Sequence, residues 1–248
     1  MSAAYTALVT GGAQGLGEAI AYALHAAGYK VAVSDIDAAG AEAVAHKLDP
    51  AGETAAGYLL DVRHQESFET VRDAMIERWG SVEVLVNNAV MTVAKPVLDI
   101  TPEEFDAVLS VNLRGTFIAS QVFGRLFKAR RYGRIVNIAS LAGQNGGTAT
   151  GAHYAASKGA ILTLTKVFAR DLAPYGVTVN AVAPGPLDLP SVHNLVPADK
   201  LAHVISGIPV GALGDAAFVA DIVVRLAAPE AGFTTGATWD INGGLFMR

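Results

Sequence analysis

Seven short runs of β-branched and aliphatic residues punctuate the chain, and helical stretches fill the gaps between them. The runs are TALVT (6–10), KVAVSD (30–35), GYLLD (57–61), VEVLVNN (82–88), GRIVNIAS (133–140), VTVNAVA (177–183) and ATWDING (237–243). Most are continuously apolar rather than alternating, the pattern of strands buried on both faces. Helices are expected near 15–28, 38–48, 65–79, 101–129, 152–174 and 215–228. Thr101 followed by Pro102 and two acids is a helix start, and Gly28, Gly80 and Gly176 sit just past helix ends. Strand–helix alternation of this kind builds a parallel sheet wound on both faces. With no repeat and no linker, residues 1–248 read as one α/β domain of about seven strands flanked by helices.

Composition agrees: 52% apolar and 17% charged residues suit a sheet covered on both faces, with further surface buried between subunits. A net charge of −5 gives no electrostatic footprint for nucleic acid. The absence of cysteine removes disulfides and thiolate chemistry. No apolar run is long enough to cross a bilayer, and the start MSAAYTALVTGG has no basic region followed by an apolar one, so a cytoplasmic location is expected. The exception to the regular pattern is 184–212, with prolines at 184, 186, 190, 197 and 209; a loop that long reads as a substrate lid.

The first run leads into TGGAQGLG (10–17), which puts Gly11, Gly15 and Gly17 between a strand and a helix. That context suits a pyrophosphate: a tight turn, a close backbone and helix N–H groups facing an anion. The fold expected is therefore a Rossmann fold. Asp35 ends the second run, where a carboxylate can bond an adenosine ribose and repel a 2′-phosphate. No Arg or Lys lies in 31–46 and position 14 is Gln, so NAD is expected rather than NADP. The other reading of Asp35 is a helix cap or turn acid, and Asp37 can share either role. Asp61 either bonds an adenine amino group or caps the next helix. Asn87 and Asn88 either brace loops or touch the cofactor.

Ser140 closes the fifth run, and GAHYAASKGAILTLTK (151–166) follows. Tyr154 and Lys158 are four residues apart, hence on one helix face. A phenol titrating near 10 is a poor base at neutral pH, and a nearby ammonium stabilises its anion. Tyr154 then becomes usable as an acid or base, with Ser140 holding the substrate oxygen. The six histidines have no metal-ligand spacing, and His153 beside Tyr154 reads as a surface residue, with lining the pocket as the other reading.

TGGAQGLG, NNAV (87–90), Asn112 in SVNLRGTF, Ser140, YAASK (154–158), VAPGP (182–186) and TGATWDINGG (235–244) resemble the short-chain dehydrogenase/reductase family in order and spacing, over essentially the whole chain. The resemblance implies that Tyr154 exchanges a proton with the substrate and that Lys158 lowers its pKa and bonds the nicotinamide ribose. Ser140 orients the substrate oxygen, and Asn112 holds a relay water. Gly11, Gly15 and Gly17 face the pyrophosphate, with Gln14 and Leu16 between them. Asp35 and Ile36 flank the adenosine, Asp61 and Val62 contact adenine, and Asn88 and Ala89 lie along the cofactor. Pro184 and Gly185 border the nicotinamide. The implied reaction is hydride transfer between a nicotinamide and a secondary alcohol or ketone.

Two positions depart from the family pattern. Val90 stands where glycine is usual, and the place of a threonine after Pro184-Gly185 falls near Asp188 and Leu189. The lid residues Leu187, Leu189, Val192, Leu195 and Val196 suit an apolar or acyl substrate, or simply pack the lid shut. Overall similarity to 3-oxoacyl-(acyl carrier protein) reductases implies a homotetramer, and in that subfamily Lys128, Arg130 and Arg131 would meet an acidic carrier protein. The competing readings are an NAD-linked dehydrogenase of another secondary alcohol and a dinucleotide-binding sensor or scaffold without turnover.

Overall fold

The computed structural model describes residues 5–147, 150–195 and 198–247; Val196 of the expected lid lies outside them, as does the side chain of Leu195. Seven strands form one parallel sheet: β1 (Thr6–Thr10), β2 (Lys30–Asp35), β3 (Ala55–Leu59), β4 (Val84–Asn87), β5 (Gly133–Ile138), β6 (Val177–Pro184) and β7 (Thr238–Ile241). Their order is β3-β2-β1-β4-β5-β6-β7, so the chain reverses direction across the sheet between β1 and β4. In such a sheet the crevice at the carboxyl ends beside that reversal is the ligand site.

The helices are α1 (Gly15–Ala26), α2 (Ala38–Leu48), α3 (Gln65–Trp79), α4 (Pro102–Leu109), α5 (Gly115–Arg130), α6 (Ala142–Asn145), α7 (Ala152–Leu172), α8 (Pro190–Leu195), α9 (Ala198–Ser206) and α10 (Ala216–Ala227). One apolar core packs α1, α2 and α10 on one face through Ile20, Leu24, Val44, Val219, Val223 and Leu226. The second packs α3, α5 and α7 on the other through Phe68, Met75, Phe123, Phe127 and Leu172. β1, β4, β5 and β6 are buried along their whole length, which is why they read as continuous apolar runs, whereas the outer strands β3 and β7 are only partly buried.

Three boundaries differ from the sequence reading. β3 is Ala55–Leu59, so Asp61 lies in the turn beyond the strand rather than at its end. Pairing with β2 sets this register, from Val31 opposite Ala55 to Asp35 opposite Leu59. The helix expected over 101–129 is broken by a π turn at Ser110–Arg114 that carries Asn112. The stretch 184–212 is not irregular throughout: Pro184 belongs to β6, and α8 and α9 follow.

Candidate active site

The glycine turn is built by contacts that leave no room for side chains. A Cβ on Gly17 would stand 2.0 Å from the Gly11 carbonyl oxygen, and one on Gly11 would stand 2.7 Å from the Ala89 Cα. Gly15 differs: nothing lies within 4 Å of its missing Cβ, but its φ of +61° favours glycine. Gln14, the N-cap of α1, makes no side-chain cap, so the helix presents its first N–H groups uncapped toward that open space. An open cradle lined by unpaired donors fits a diphosphate.

Asn88 holds the turn in shape. Its Nδ2 donates to the carbonyls of Thr10 at 3.0 Å and Gly11 at 2.9 Å, which spends both amide hydrogens. The bracing role read for Asn88 is thus observed. Asn87 braces as well, donating to Asn137 at 2.8 Å. Asp35 accepts from the Ala13 and Asp37 amides, each at 3.1 Å, so its carboxylate stands beside the glycine turn at the rim. Asp37 is the N-cap of α2, accepting from Gly40 N at 3.0 Å. Ile36 is largely exposed next to them, while Leu16 packs against the core.

Asp61 is gripped by Arg63 through contacts of 2.9, 3.1 and 2.5 Å. Those hydrogen bonds hold its carboxyl down at about 2. An adenine amino group reaching Asp61 must share its oxygens with that guanidinium. Val62 is buried and Gly115 packs directly on it. The sequence reading missed Arg63, although an arginine two residues after an acid is a visible partner.

The candidate reacting groups converge at the carboxyl edge of β5. Ser140 lies close enough to the Tyr154 hydroxyl to pull on the phenol's pKa, and its Oγ accepts from Ala142 N at 3.1 Å. Lys158, on the same face of α7, is buried at 2% exposure and donates from Nζ to the Ile138 carbonyl at 2.6 Å. That nitrogen stands 5.8 Å from the Tyr154 ring centroid. α7 comes this close because a Cβ on Gly143 would sit 2.5 Å from the Lys158 carbonyl carbon. Burial pushes the Lys158 amine down to about 7. It also raises the Tyr154 phenol, against the lowering pull of the Ser140 hydrogen bond. The expected depression of the phenol by Lys158 is therefore not the dominant effect here: desolvation wins, and the amine itself is far less charged than a surface lysine.

Asn112 is fully buried, and its side chain is used up as a brace. Oδ1 accepts from Met91 N at 2.7 Å, and Nδ2 donates to Met91 O and to Ser157 Oγ, both at 3.0 Å. These bonds tie the strand-end loop after β4 to the Tyr154 helix. With both amide hydrogens spent, any water beside Asn112 has to be held by acceptors.

Val90 is half exposed with a negative φ: among the described non-glycine residues only Arg131 has a positive one. The loop thus accommodates valine without strain. Pro184 accepts from Leu141 N at 2.9 Å, which sets it against the Ser140 turn, and a Cβ on Gly185 would stand 2.9 Å from the Asn242 Cα after β7. Asp188 pairs with His193 at 2.7 Å. Leu187 is buried and Leu189 packs against the same core, so these two lid residues face inward.

One expectation is corrected. His153 is completely buried, not at the surface, because the first turn of α7 tucks it under the loop containing Val93. Lys128, Arg130 and Arg131 end α5 just before β5 begins, at the amino edge of the sheet opposite Ser140. Lys128 lies over the Tyr175 ring at 4.3 Å, and Arg130 is 3.9 Å from Glu83. Within one subunit that patch is remote from the site.

A glycine turn open to an anion, beside a Ser–Tyr–Lys cluster, is the arrangement expected of an oxidoreductase of the Rossmann class. A family model described as enoyl-(acyl carrier protein) reductase matches residues 11–246. An acetoacetyl-CoA reductase of Shinella zoogloeoides is 41% identical, covering 97% of this chain and 98% of its own. A 3-oxoacyl-[acyl-carrier-protein] reductase of Vibrio cholerae is 38% identical with 97% of both chains covered. A sorbitol dehydrogenase of Cereibacter sphaeroides is 35% identical, covering 98% and 97%. The chain belongs to the short-chain dehydrogenase/reductase family and is an oxidoreductase of CH–OH groups.

Proposed function

We propose that the protein is an NAD(H)-dependent reductase of ketones, with an apolar or acyl-thioester substrate, and that Tyr154 is its proton donor. The observation that carries this is the Tyr154 phenol beside Ser140, one helical turn from a buried Lys158 whose amine is fastened to the end of β5. When bound, the nicotinamide supplies or accepts the hydride. Tyr154 hands its hydroxyl proton to the substrate oxygen in reduction and takes it back in oxidation. Ser140 holds that same oxygen from the other side. A phenol raised by burial is protonated at neutral pH, which is the state needed for the reducing direction. Lys158 then replenishes the proton, since an amine near 7 gives one up and takes one back at little cost.

Gly11, Gly15 and Gly17 with the α1 N-terminus would hold the diphosphate, and Asp35 the adenosine ribose. The Asp35 carboxylate repels a 2′-phosphate, and no Arg or Lys in 31–46 offsets it, which supports NAD. Exposed Val90 and Met91 beside the site support an apolar substrate under a lid formed by 184–212. The apolar groove along Leu109, Leu113, Phe117 and Leu164, with exposed Phe218, Phe233 and Met247, supports assembly into a homotetramer.

The test is a screen of 3-oxoacyl thioesters, 2-enoyl thioesters, secondary alcohols and polyols, each with NAD(H) and NADP(H). Turnover of 3-oxoacyl thioesters or apolar ketones with NADH is expected. Turnover of enoyl thioesters alone would overturn the reading, because it assigns Tyr154 and Ser140 to the oxygen of a ketone that is itself reduced.

A further inference from the structure

We infer that His153 is a positioning residue for Tyr154: its neutral imidazole caps the helix from which the phenol projects. The inference rests on the reading of Tyr154 as proton donor. The N-cap of α7 is Gly151, which has no side chain to offer. The third amide of the helix, that of Tyr154, would ordinarily bond such a side chain. Here the imidazole does that work: His153 Nδ1 accepts from Tyr154 N at 2.9 Å. The ring is completely buried, so water cannot substitute for it.

Gly151 and His153 are matched by shape. A Cβ on Gly151 would stand 2.3 Å from the imidazole Cε1, 2.7 Å from Nδ1 and 2.9 Å from the Val93 carbonyl oxygen. No Ser, Thr, Asp or Asn cap fits at 151 while the ring is in place. Gly151 N also donates to Val93 O at 3.1 Å, which fastens the helix start to the loop carrying Val90 and Met91. The polar surroundings of the ring are consistent. Lys95 of the loop neutralises Glu104 of α4 with contacts of 2.6 and 2.7 Å, and those bonds hold that carboxyl below its usual range. Accepting through Nδ1 requires the proton on Nε2, which has no hydrogen-bond partner among the described residues. The cap therefore fixes both the tautomer of His153 and the backbone of Tyr154. A donor phenol displaced by a fraction of an ångström loses rate.

Three measurements on the intact protein test this. In the native chain, 15N shifts of labelled histidine should show one imidazole locked as the Nε2–H tautomer; an Nδ1–H tautomer at His153 overturns the proposal. In His153→Leu, which fills the space without an acceptor, amide exchange at Tyr154 should accelerate about tenfold, the equivalent of one lost cap. Its kcat should fall about tenfold while NADH affinity and KM stay within about twofold. In His153→Asn, Oδ1 replaces Nδ1 on the same γ-atom, so exchange and kcat should return to within about threefold of native. If His153→Asn is as slow as His153→Leu with an equal melting temperature, the acceptor role is wrong. Should the native protein turn over no carbonyl at all, the proton-donor reading fails, yet tautomer and amide exchange still decide the cap.

Discussion

Replacing Lys158 with methionine should make the protein more stable and nearly inactive, with a pH dependence that identifies the cause. The amine titrates at about 7 rather than 10.5, and burial is the reason. At about 1.4 kcal/mol per tenfold, charging it in the folded state costs about 5 kcal/mol more than in the unfolded chain. Because the folded value is lowered, this cost is present in full below pH 7, where the lysine is charged in both states. It fades as pH rises toward 10.5, where both states become neutral. Methionine removes the cost but leaves the Ile138 carbonyl without the 2.6 Å donor. That loss offsets about 1–3 kcal/mol. The net expectation at pH 7 is a gain of about 2–4 kcal/mol. Between pH 7 and 9.5 the native protein should gain on the variant by about 1.4 kcal/mol per pH unit, so the gap closes or reverses. Urea unfolding at one protein concentration, followed by circular dichroism across that range, measures it. A variant less stable at pH 7, or a gap that does not change with pH, would refute the reasoning.

Three other outcomes follow from the same geometry. Gly17→Ala puts a methyl 2.0 Å from the Gly11 oxygen; it should cost about 1–3 kcal/mol of stability and at least tenfold in NADH affinity by fluorescence titration. Asp35→Ser removes the like charge facing a 2′-phosphate, and the NADPH-to-NADH affinity ratio should rise at least about tenfold. Asn112→Ala breaks the tie between Met91 and Ser157; it should cost about 2–4 kcal/mol in thermal or urea unfolding, because it opens a buried void and leaves the Met91 N–H and carbonyl unpaired.

The parallel sheet was legible because its strands are buried on both faces, and buried strands need continuous apolar runs such as KVAVSD and VTVNAVA. The glycine turn was legible because Gly11 and Gly17 answer to contacts that exclude any side chain. What escaped was set by tertiary contact. The π turn around Asn112 keeps helical spacing in sequence, so nothing local separates α4 from α5. Register against β2, not hydrophobicity, ends β3 before Asp61. The burial of His153 depends on the Val93 loop folding over it, and the lowered Lys158 amine depends on what surrounds Nζ rather than on its spacing from Tyr154.

The most direct test is Tyr154→Phe, which removes one oxygen and leaves the ring. NADH affinity should stay within about twofold, while kcat for the ketone substrate found in the screen falls by about 10²–10⁴, the range of general acid catalysis. Turnover retained within about threefold would contradict the assignment of Tyr154 as proton donor.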